Sequence, residues 1–342
     1  DYSAAFDSTT GFLTITMLAG GKGAAATAIK VSGKVIDPSK VTKEDVIGAV
    51  DPSTGAETGA QVIRQVYPRL GIVPGLILAP GWSQIPEVGL ALAAKAAKIN
   101  GVYSAMALLD LDTAKAKKYT DTKSVKEESG YTSPFCYPLW PCDRVGEYIL
   151  AKSAVASAMI QYMASDNEDV PNQSPSNHLL GVGGQCLEDG TEVYLDQDQA
   201  NTVNGYGVTT AINQNGYRLW GNYTGAYPAS SDAKDIWFAV RRMFSWQGNN
   251  FIQTYFDEVD DPMNNVLVQS VVDSENIRCS AYAPKYWAGA SIEYKSDDNP
   301  KTAILAGTMK FRQHIAPYTP AQEIVDIIDY DTDTLAAAVG GN

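Results

Sequence analysis

Two predominantly apolar runs on either side of an alanine-rich segment constrain the fold of this chain more than any other feature. The runs extend from Val73 to Leu78 and from Val102 to Leu109, and the segment between them covers Pro86 to Ile99. Strands this uniformly apolar are usually buried on both faces, and a crossover helix between them implies parallel pairing. The sequence therefore predicts a βαβ unit inside a buried α/β layer.

The regions on either side of this unit differ in composition, which predicts more than one domain in 342 residues. The N-terminal part is rich in small and hydroxyl residues and alternates in hydropathy at Phe12 to Thr16 and at Ala28 to Val31, as short antiparallel strands do. Aromatic segments dominate after residue 200. The expected mixed α/β and α+β fold comprises a β-rich part over 1–55, a central α/β domain over 56–200 and a C-terminal α+β domain over 201–342.

Four segments carry more local predictions. Apolar spacing predicts a helix from about Ala233 to Tyr255, and the lysine-rich stretch from Ala114 to Gly130 has the composition of a surface loop. Alternation predicts a strand from Thr302 to Ile315 and a β-like run from Glu323 to Tyr330. These segments place most of the predicted strands of the last domain after residue 300.

Charge and hydropathy narrow the range of partners. The 26 basic and 39 acidic side chains give a net charge of −13, which repels phosphate backbones and anionic lipid surfaces. No segment approaches the roughly 20 consecutive apolar residues that cross a bilayer. We therefore expect neither nucleic acid nor membrane as a partner. The chain opens at Asp1 without a methionine or a secretory signal, which suggests a processed or cropped piece.

Motifs that would carry chemistry are incomplete. The Gly20 to Gly23 cluster lacks the Ser or Thr that follows the lysine of a phosphate-binding loop, and the Gly181 to Cys186 stretch lacks the third glycine of a dinucleotide fingerprint. Asp329, Asp331 and Asp333 alternate like calcium ligands, but the glycine and glutamate of that motif are missing. The sequence predicts no catalytic residue, no metal site and no cofactor.

Two other functional classes remain as alternatives. Asp110 and Asp112 end a predicted parallel strand, where α/β enzymes place catalytic groups, so an α/β enzyme with a cleft near Asp110 is the main rival. The alternative is that both carboxylates cap the following loop. A carbohydrate- or receptor-binding module rests only on aromatic residues that more often belong to cores, namely Trp220, Trp237, Trp246 and Trp287.

A series of short motifs from about residue 44 to the end occurs in an ordered arrangement. The motifs include Val73 to Ser83 (VPGLILAPGWS), Tyr137 to Pro141, Ser174 to Asn177, Asn204 to Val208, Arg218 to Thr224 and Ile315 to Pro317. Taken in this order, they resemble the contractile tail sheath family of bacteriophages and related injection systems. The chain departs from the family pattern at Ala151 to Ala154, where the family has a Pro-Pro-Ser-Gly turn, and at Tyr223, where it has arginine.

The resemblance implies a structural subunit rather than an enzyme. Copies would stack as rings in a helical homopolymer around a tail tube and shorten without any cofactor. The implied partners are further copies of the chain, the tube protein, and baseplate and tail terminator proteins. The implied location is the virion, after assembly in the bacterial cytoplasm.

Two groups of residues are candidates for contacts in such an assembly. Lys234, Arg241 and Arg242 form a predicted basic patch that would meet an acidic tube surface, or else a solvated helix face with local ion pairs. The C-terminal run contains β-branched and aromatic residues, and its distal part is expected to pair as a strand with a neighbouring subunit or to complete its own sheet. That distal part consists of Asp329, Tyr330, Asp331, Thr332, Asp333 and Thr334.

Overall fold

The computed structural model of the chain describes residues 2–7, 10–25, 27–28, 30 and 37–340. Contacts divide it into two compact units, residues 1–41 and 42–342. In the first unit, β1 (Tyr2–Phe6) and β2 (Leu13–Met17) pair antiparallel, so the strand predicted at Phe12 to Thr16 is confirmed. The strand predicted at Ala28 to Val31 includes Ile29 and Val31, which lie outside the described residues.

A three-stranded parallel sheet forms the centre of the second unit and confirms the predicted βαβ unit. Its strands are β3 (Leu76–Leu78), β4 (Met106–Asp110) and β5 (Cys136–Leu139), with β4 in the middle. Both apolar runs form shorter strands than predicted. In the first run Pro74 has no amide hydrogen to donate to a ladder, and β3 begins after it.

The two faces of β4 belong to two different hydrophobic cores, as the period of a strand requires. Ala107 and Leu109 pack with residues of the crossover helix, such as Val88. Met106 and Leu108 pack on the opposite face with Ile160 and Phe238. Since Phe238 lies beyond residue 200, the last part of the chain completes the core of the central layer. The division into domains at residues 55 and 200 stays a prediction.

Further antiparallel pairs flank the central sheet. A three-stranded sheet consists of β6 (Cys142–Val145), β7 (Tyr148–Leu150) and β8 (Gly184–Cys186), with β6 in the middle. Two hairpins consist of β9 (Thr210–Asn213) with β10 (Tyr217–Trp220), and of β11 (Trp287–Glu293) with β12 (Arg312–Pro317). A bridge from Leu139 to Thr209 connects the first hairpin to the central sheet.

Helices cover both faces of these sheets. The α-helices are α1 (Lys43–Ile47), α2 (Val66–Leu70), α3 (Pro86–Ala97), α4 (Thr122–Ser129), α5 (Lys152–Ser165), α6 (Gln197–Gly205), α7 (Ala233–Ile236), α8 (Phe238–Thr254), α9 (Asn265–Tyr282), α10 (Lys301–Leu305) and α11 (Thr332–Ala338). Short 3-10 helices cover Pro38–Lys40, Gly59–Gln65, Tyr119–Asp121, Phe256–Glu258 and Ser296–Asp298.

Four local predictions were wrong in part or in full. The β-like run predicted from Glu323 to Tyr330 forms no strand, since the segment has no partner strand in the described chain. The predicted loop from Ala114 to Gly130 contains α4, because Val125 and Lys126 are buried and anchor a helical turn. The predicted helix from Ala233 to Tyr255 is interrupted at Trp237, whose extended backbone lets it bridge to Tyr223. The predicted strand from Thr302 to Ile315 begins only at Arg312, since α10 and a turn precede it.

Candidate functional site

The hairpin of β11 and β12 presents an unpaired strand edge. Within the described part of the chain this sheet has two strands. The Asn276 side chain of α9 donates to the Ile292 carbonyl and accepts from the Ile292 amide, both at 3.0 Å, so β11 is partly covered and the outer edge of β12 is the open one. Side chains of β12 alternate between exposed and half-buried positions from Arg312 to Pro317, while Trp287 at the start of β11 is fully buried. Open edges of this kind accept strands from other chains.

The segment that follows β12, residues 318–331, exposes an unusual amount of apolar surface. Ile324 is 89% exposed and Ile328 is 87% exposed, and Val325, Ile327 and Tyr330 are exposed as well. Burying one such side chain stabilises a protein or complex by roughly 1.5–3 kcal/mol. A run of exposed apolar side chains of this length marks a surface that is covered in an assembly.

Two tyrosine hydroxyl groups hold the start of this segment in place. The Tyr318 hydroxyl donates to the Pro284 carbonyl at 3.0 Å, and the Tyr223 hydroxyl donates to the Gln322 amide oxygen at 2.6 Å. Tyr223 itself stacks between Tyr227 and Trp237. The attachment ends at Gln322, which is where the exposed apolar residues begin.

The residues predicted as an inter-subunit strand adopt a different conformation in the single chain. Asp331 is the N-cap of α11, and its carboxylate accepts from the backbone amides of Asp333 at 3.1 Å and Thr334 at 2.9 Å. The Thr334 hydroxyl and amide also lower the pKa of this carboxyl. Thr332, Asp333 and Thr334 lie in the helix, whereas Asp329 and Tyr330 precede it. Pairing with a neighbouring subunit stays a prediction and would require α11 to unwind.

The predicted basic patch is only partly assembled. Lys234 and Arg241 share the carboxylate of Asp235, at 2.6 Å and 3.2 Å. Burial acts to raise the pKa of Asp235, but hydrogen bonds and charge from both cations outweigh it and lower that pKa. The Arg241 guanidinium also lies 4.6 Å from the centre of the Phe135 ring. Arg242 does not join this cluster but lines a separate groove. A role of these residues in tube contact stays a prediction.

Asp110, the residue on which the enzyme hypothesis depends, is enclosed. Its carboxylate accepts from the Ser83 hydroxyl at 3.1 Å, from the Ser153 amide at 2.8 Å and from the Ser153 hydroxyl at 2.5 Å. Burial raises the pKa of Asp110 and these hydrogen bonds oppose that rise. With 7% of its surface exposed, Asp110 links the end of β4 to the first turn of α5 and is not presented to a cleft.

Asp112, the other carboxylate of that hypothesis, caps the following loop by accepting from the Ala114 amide at 2.9 Å.

Next to Asp110 lies an ion pair that sequence reasoning missed. The Lys152 ammonium lies 2.5 Å from the Asp143 carboxylate, and both side chains are completely buried. No pattern of hydropathy distinguishes this lysine from an exposed one.

In the described part of the chain, no group of three or more His, Cys, Asp or Glu side chains is arranged to hold a metal ion. Among the same residues, no helix is both long and apolar enough to cross a membrane.

Known proteins with similar sequences are tail sheath proteins. No family model matches the chain. It is 26% identical to the tail sheath protein of Burkholderia phage BcepMu, over 93% of this chain and 68% of that protein. It is 24% identical to the tail sheath protein of Escherichia phage P2, over 83% of this chain and 69% of that protein. The chain thus spans slightly more than two thirds of each relative.

A solved structure with a similar fold is the contracted sheath complex of an extracellular contractile injection system, PVC. The TM-score is 0.63 at 17% identity, and the match covers 81% of this chain and 76% of that chain. The chain is thus similar in sequence to tail sheath proteins and shares the fold of a contractile sheath protein.

Proposed function

We propose that this protein is the structural subunit of a contractile tail sheath, which polymerises around a tail tube and contracts to drive the tube through a target envelope. Its partners are further copies of itself, the tube protein, and the baseplate and terminator proteins at the two ends of the tail. It acts as part of the virion or injection particle and is assembled in the bacterial cytoplasm. The relatives named tail sheath proteins support this role.

The exposed apolar segment beyond Gln322 is the observation that carries the proposal. A monomer that exposes Ile324, Val325, Ile327 and Ile328 has an interface but no partner for it. Asp326 and Asp329 interrupt the run, and their charges oppose uncontrolled stacking of identical segments. A subunit of an ordered polymer needs both an exposed apolar interface and charges that prevent uncontrolled stacking.

Strand exchange connects this segment to the β11 and β12 hairpin of a neighbouring copy. The distal part, Asp329 to Thr334, leaves its own body and adds to an unpaired edge of the β11 and β12 hairpin in a neighbouring copy. An added strand contributes several backbone hydrogen bonds, each worth about 0.5–1.5 kcal/mol net. The unwinding of α11 removes few tertiary contacts, since all the described residues of that helix are exposed. Such a connection lets subunits rotate relative to one another and remain attached.

Lys234 and Arg241 are the proposed tube contact. Asp235 already neutralises part of their charge, so their attraction to an acidic tube surface is weak and sensitive to salt. Strand exchange between sheath subunits therefore dominates the stability of the sleeve, and the tube acts as a template.

A proline at Tyr330 tests strand exchange. Proline removes a backbone donor and resists pairing inside a sheet, so Tyr330→Pro should abolish sleeves formed with the tube protein, as seen by negative-stain electron microscopy. The melting temperature of the monomer should stay unchanged, because Tyr330 is exposed. The matched control, Tyr330→Phe, keeps the backbone donor and should form normal sleeves. Normal sleeves from Tyr330→Pro would contradict the proposal.

A further inference from the structure

A groove of about 670 Å³ lies beside α8, between that helix, the residues that lead into β3 and the end of α5. One part of its lining is apolar and includes Ile72, Leu76 and Trp246. The other part is polar and includes Arg242 and Ser245, which lie three residues apart and so share one face of α8. The groove suits a ligand that is both apolar and charged.

Arg242 is a cation without a partner in the part of the chain that the structure describes. The neighbouring cations Lys234 and Arg241 pair with Asp232 and Asp235, and neither carboxylate reaches Arg242. Asp169 also lines the groove but forms no ion pair with Arg242. The guanidinium lies 5.5 Å from the centre of the Phe238 ring. Burial lowers the pKa of Arg242 to about 10, so the side chain remains charged at neutral pH.

Ser245 supplies an independent indication of a missing ligand. The residue is 6% exposed, and its hydroxyl has no hydrogen-bond partner. A buried hydroxyl without a partner destabilises the fold, because its lost hydration is not replaced by a hydrogen bond. The wall that carries it is fixed, because the Asn249 side chain, one turn further along α8, exchanges two hydrogen bonds with the Ser104 backbone, at 2.8 Å and 3.0 Å. Arg242 and Ser245 together present the donors that a carboxylate requires.

We propose that this groove binds residues 324–328 of a second copy of the chain, with the Asp326 carboxylate accepting hydrogen bonds from the Arg242 guanidinium and the Ser245 hydroxyl. The inference rests on the proposed function, since it requires that copies of the chain assemble. Charge complementarity selects this occupant, because Asp326 is an exposed carboxylate between exposed apolar residues that match the apolar lining.

The reach of the segment fits simultaneous strand exchange. The opposite side of α8 packs against β12, where Gln247 donates to Gln313 at 3.3 Å. Arg242 and Gln247 are separated by about 7.5 Å along the helix axis, at roughly 1.5 Å per residue, and by about 10 Å across it, which gives roughly 12–13 Å in all. An extended segment covers about 16 Å between Asp326 and Asp331, at roughly 3.3 Å per residue. One segment can therefore occupy the groove with its proximal part and the hairpin edge with its distal part.

A double-mutant cycle tests the inference. The probe is a fluorescein-labelled synthetic peptide of residues 322–334, and its binding to the full chain is followed by anisotropy. Arg242→Gln should weaken binding at least tenfold and Ser245→Ala about threefold, with the melting temperature recorded for each variant to verify folding. A peptide with Asp326→Asn should bind the native chain at least tenfold more weakly and should lose nothing further on Arg242→Gln. Lys98→Gln, which removes an exposed positive charge that does not line the groove, is the charge control and should leave binding unchanged.

Independent effects of Arg242→Gln and Asp326→Asn would overturn the inference, as would peptide binding that is unaffected by Arg242→Gln. Loss of binding to the tube protein alone in Arg242→Gln would assign the groove to the tube and would overturn it as well. Intact sleeves without coupling between Arg242 and Asp326 would count against this inference only. Intact coupling without sleeves would count against the proposed function only.

Discussion

The junction of β4 with α5 and the segment after Gln322 use carboxylates in opposite ways. At the junction, Asp110 accepts three hydrogen bonds and Asp143 contacts Lys152, with all of these groups buried. In the C-terminal segment, Asp326 and Asp329 are exposed between exposed apolar side chains. The first region pairs its charged groups internally, and the second leaves both its charges and its apolar surface to another molecule.

This difference separates the residues that hold the subunit together from the residues that connect subunits. A junction closed to water fixes the central layer as a rigid body, because each charge there has a partner in one geometry. A segment without tertiary partners can move from one environment to another at little cost to the fold. A subunit that changes neighbours without unfolding needs both kinds of region.

Loss of one member of the buried ion pair should have the largest effect on stability. Lys152→Met leaves the Asp143 carboxylate buried and unpaired, and we expect it to lower the free energy of unfolding by about 3–5 kcal/mol, measured by urea titration. Lys152→Met combined with Asp143→Leu should recover most of that loss, because no uncompensated charge remains. If Lys152→Met were as stable as the native chain, water would have to reach the junction more easily than its geometry indicates.

An intermediate effect is expected at Asp110. Asp110→Asn keeps the shape but weakens the acceptors for Ser83 and Ser153, which should cost about 1–3 kcal/mol at pH 7. The pKa of Asp110 is raised in the folded state, so its contribution to stability is fully present below the unfolded pKa and is lost as pH rises through the folded pKa. The stability difference between the native chain and Asp110→Asn should therefore widen in acid. Urea titrations at pH 4.5 and pH 7 that showed the difference shrinking in acid would refute this.

The smallest effect on stability should come from the C-terminal segment. Ile328→Asp adds a charge at a position that is 87% exposed, so the free energy of unfolding should change by less than about 0.5 kcal/mol. Sleeve formation should nevertheless fail, because the substitution places a charge in the buried interface of the assembly. Ile328→Val, which preserves the apolar surface, is the control. A large loss of monomer stability in Ile328→Asp would erase the distinction between the two regions.

The sequence was sufficient to predict elements whose residues are all of one kind. The runs that contain β3 and β4 are predominantly apolar, and the segment that contains α3 is rich in alanine, so local composition determines a buried parallel pair with its crossover helix. The order of the short motifs likewise sufficed to recognise the resemblance to tail sheath proteins. Both kinds of signal depend on neighbouring residues in the chain.

Features that depend on distant residues escaped prediction. Lys126 is buried because its ammonium donates to the carbonyls of Tyr206 and Tyr227, some 80 and 101 positions away. Burial lowers the pKa of Lys126 to about 8. Arg242 lacks an ion-pair partner, and this too depends on distant residues, because the fold determines which carboxylates lie near α8. Arg241 and Arg242 both fall outside the apolar stripe of the predicted helix and were therefore assigned to one patch, although adjacent helix residues point about 100° apart.

The open edge of β12 in the β11 and β12 hairpin determines how a sleeve would carry mechanical load. Hydrogen bonds between antiparallel strands lie perpendicular to the strand axis, so tension along an added strand shears all of them at once instead of peeling them one after another. Force along the connecting segment is then distributed over the whole ladder. A lattice joined in this way resists pulling along its connections while the rigid bodies between them remain free to turn.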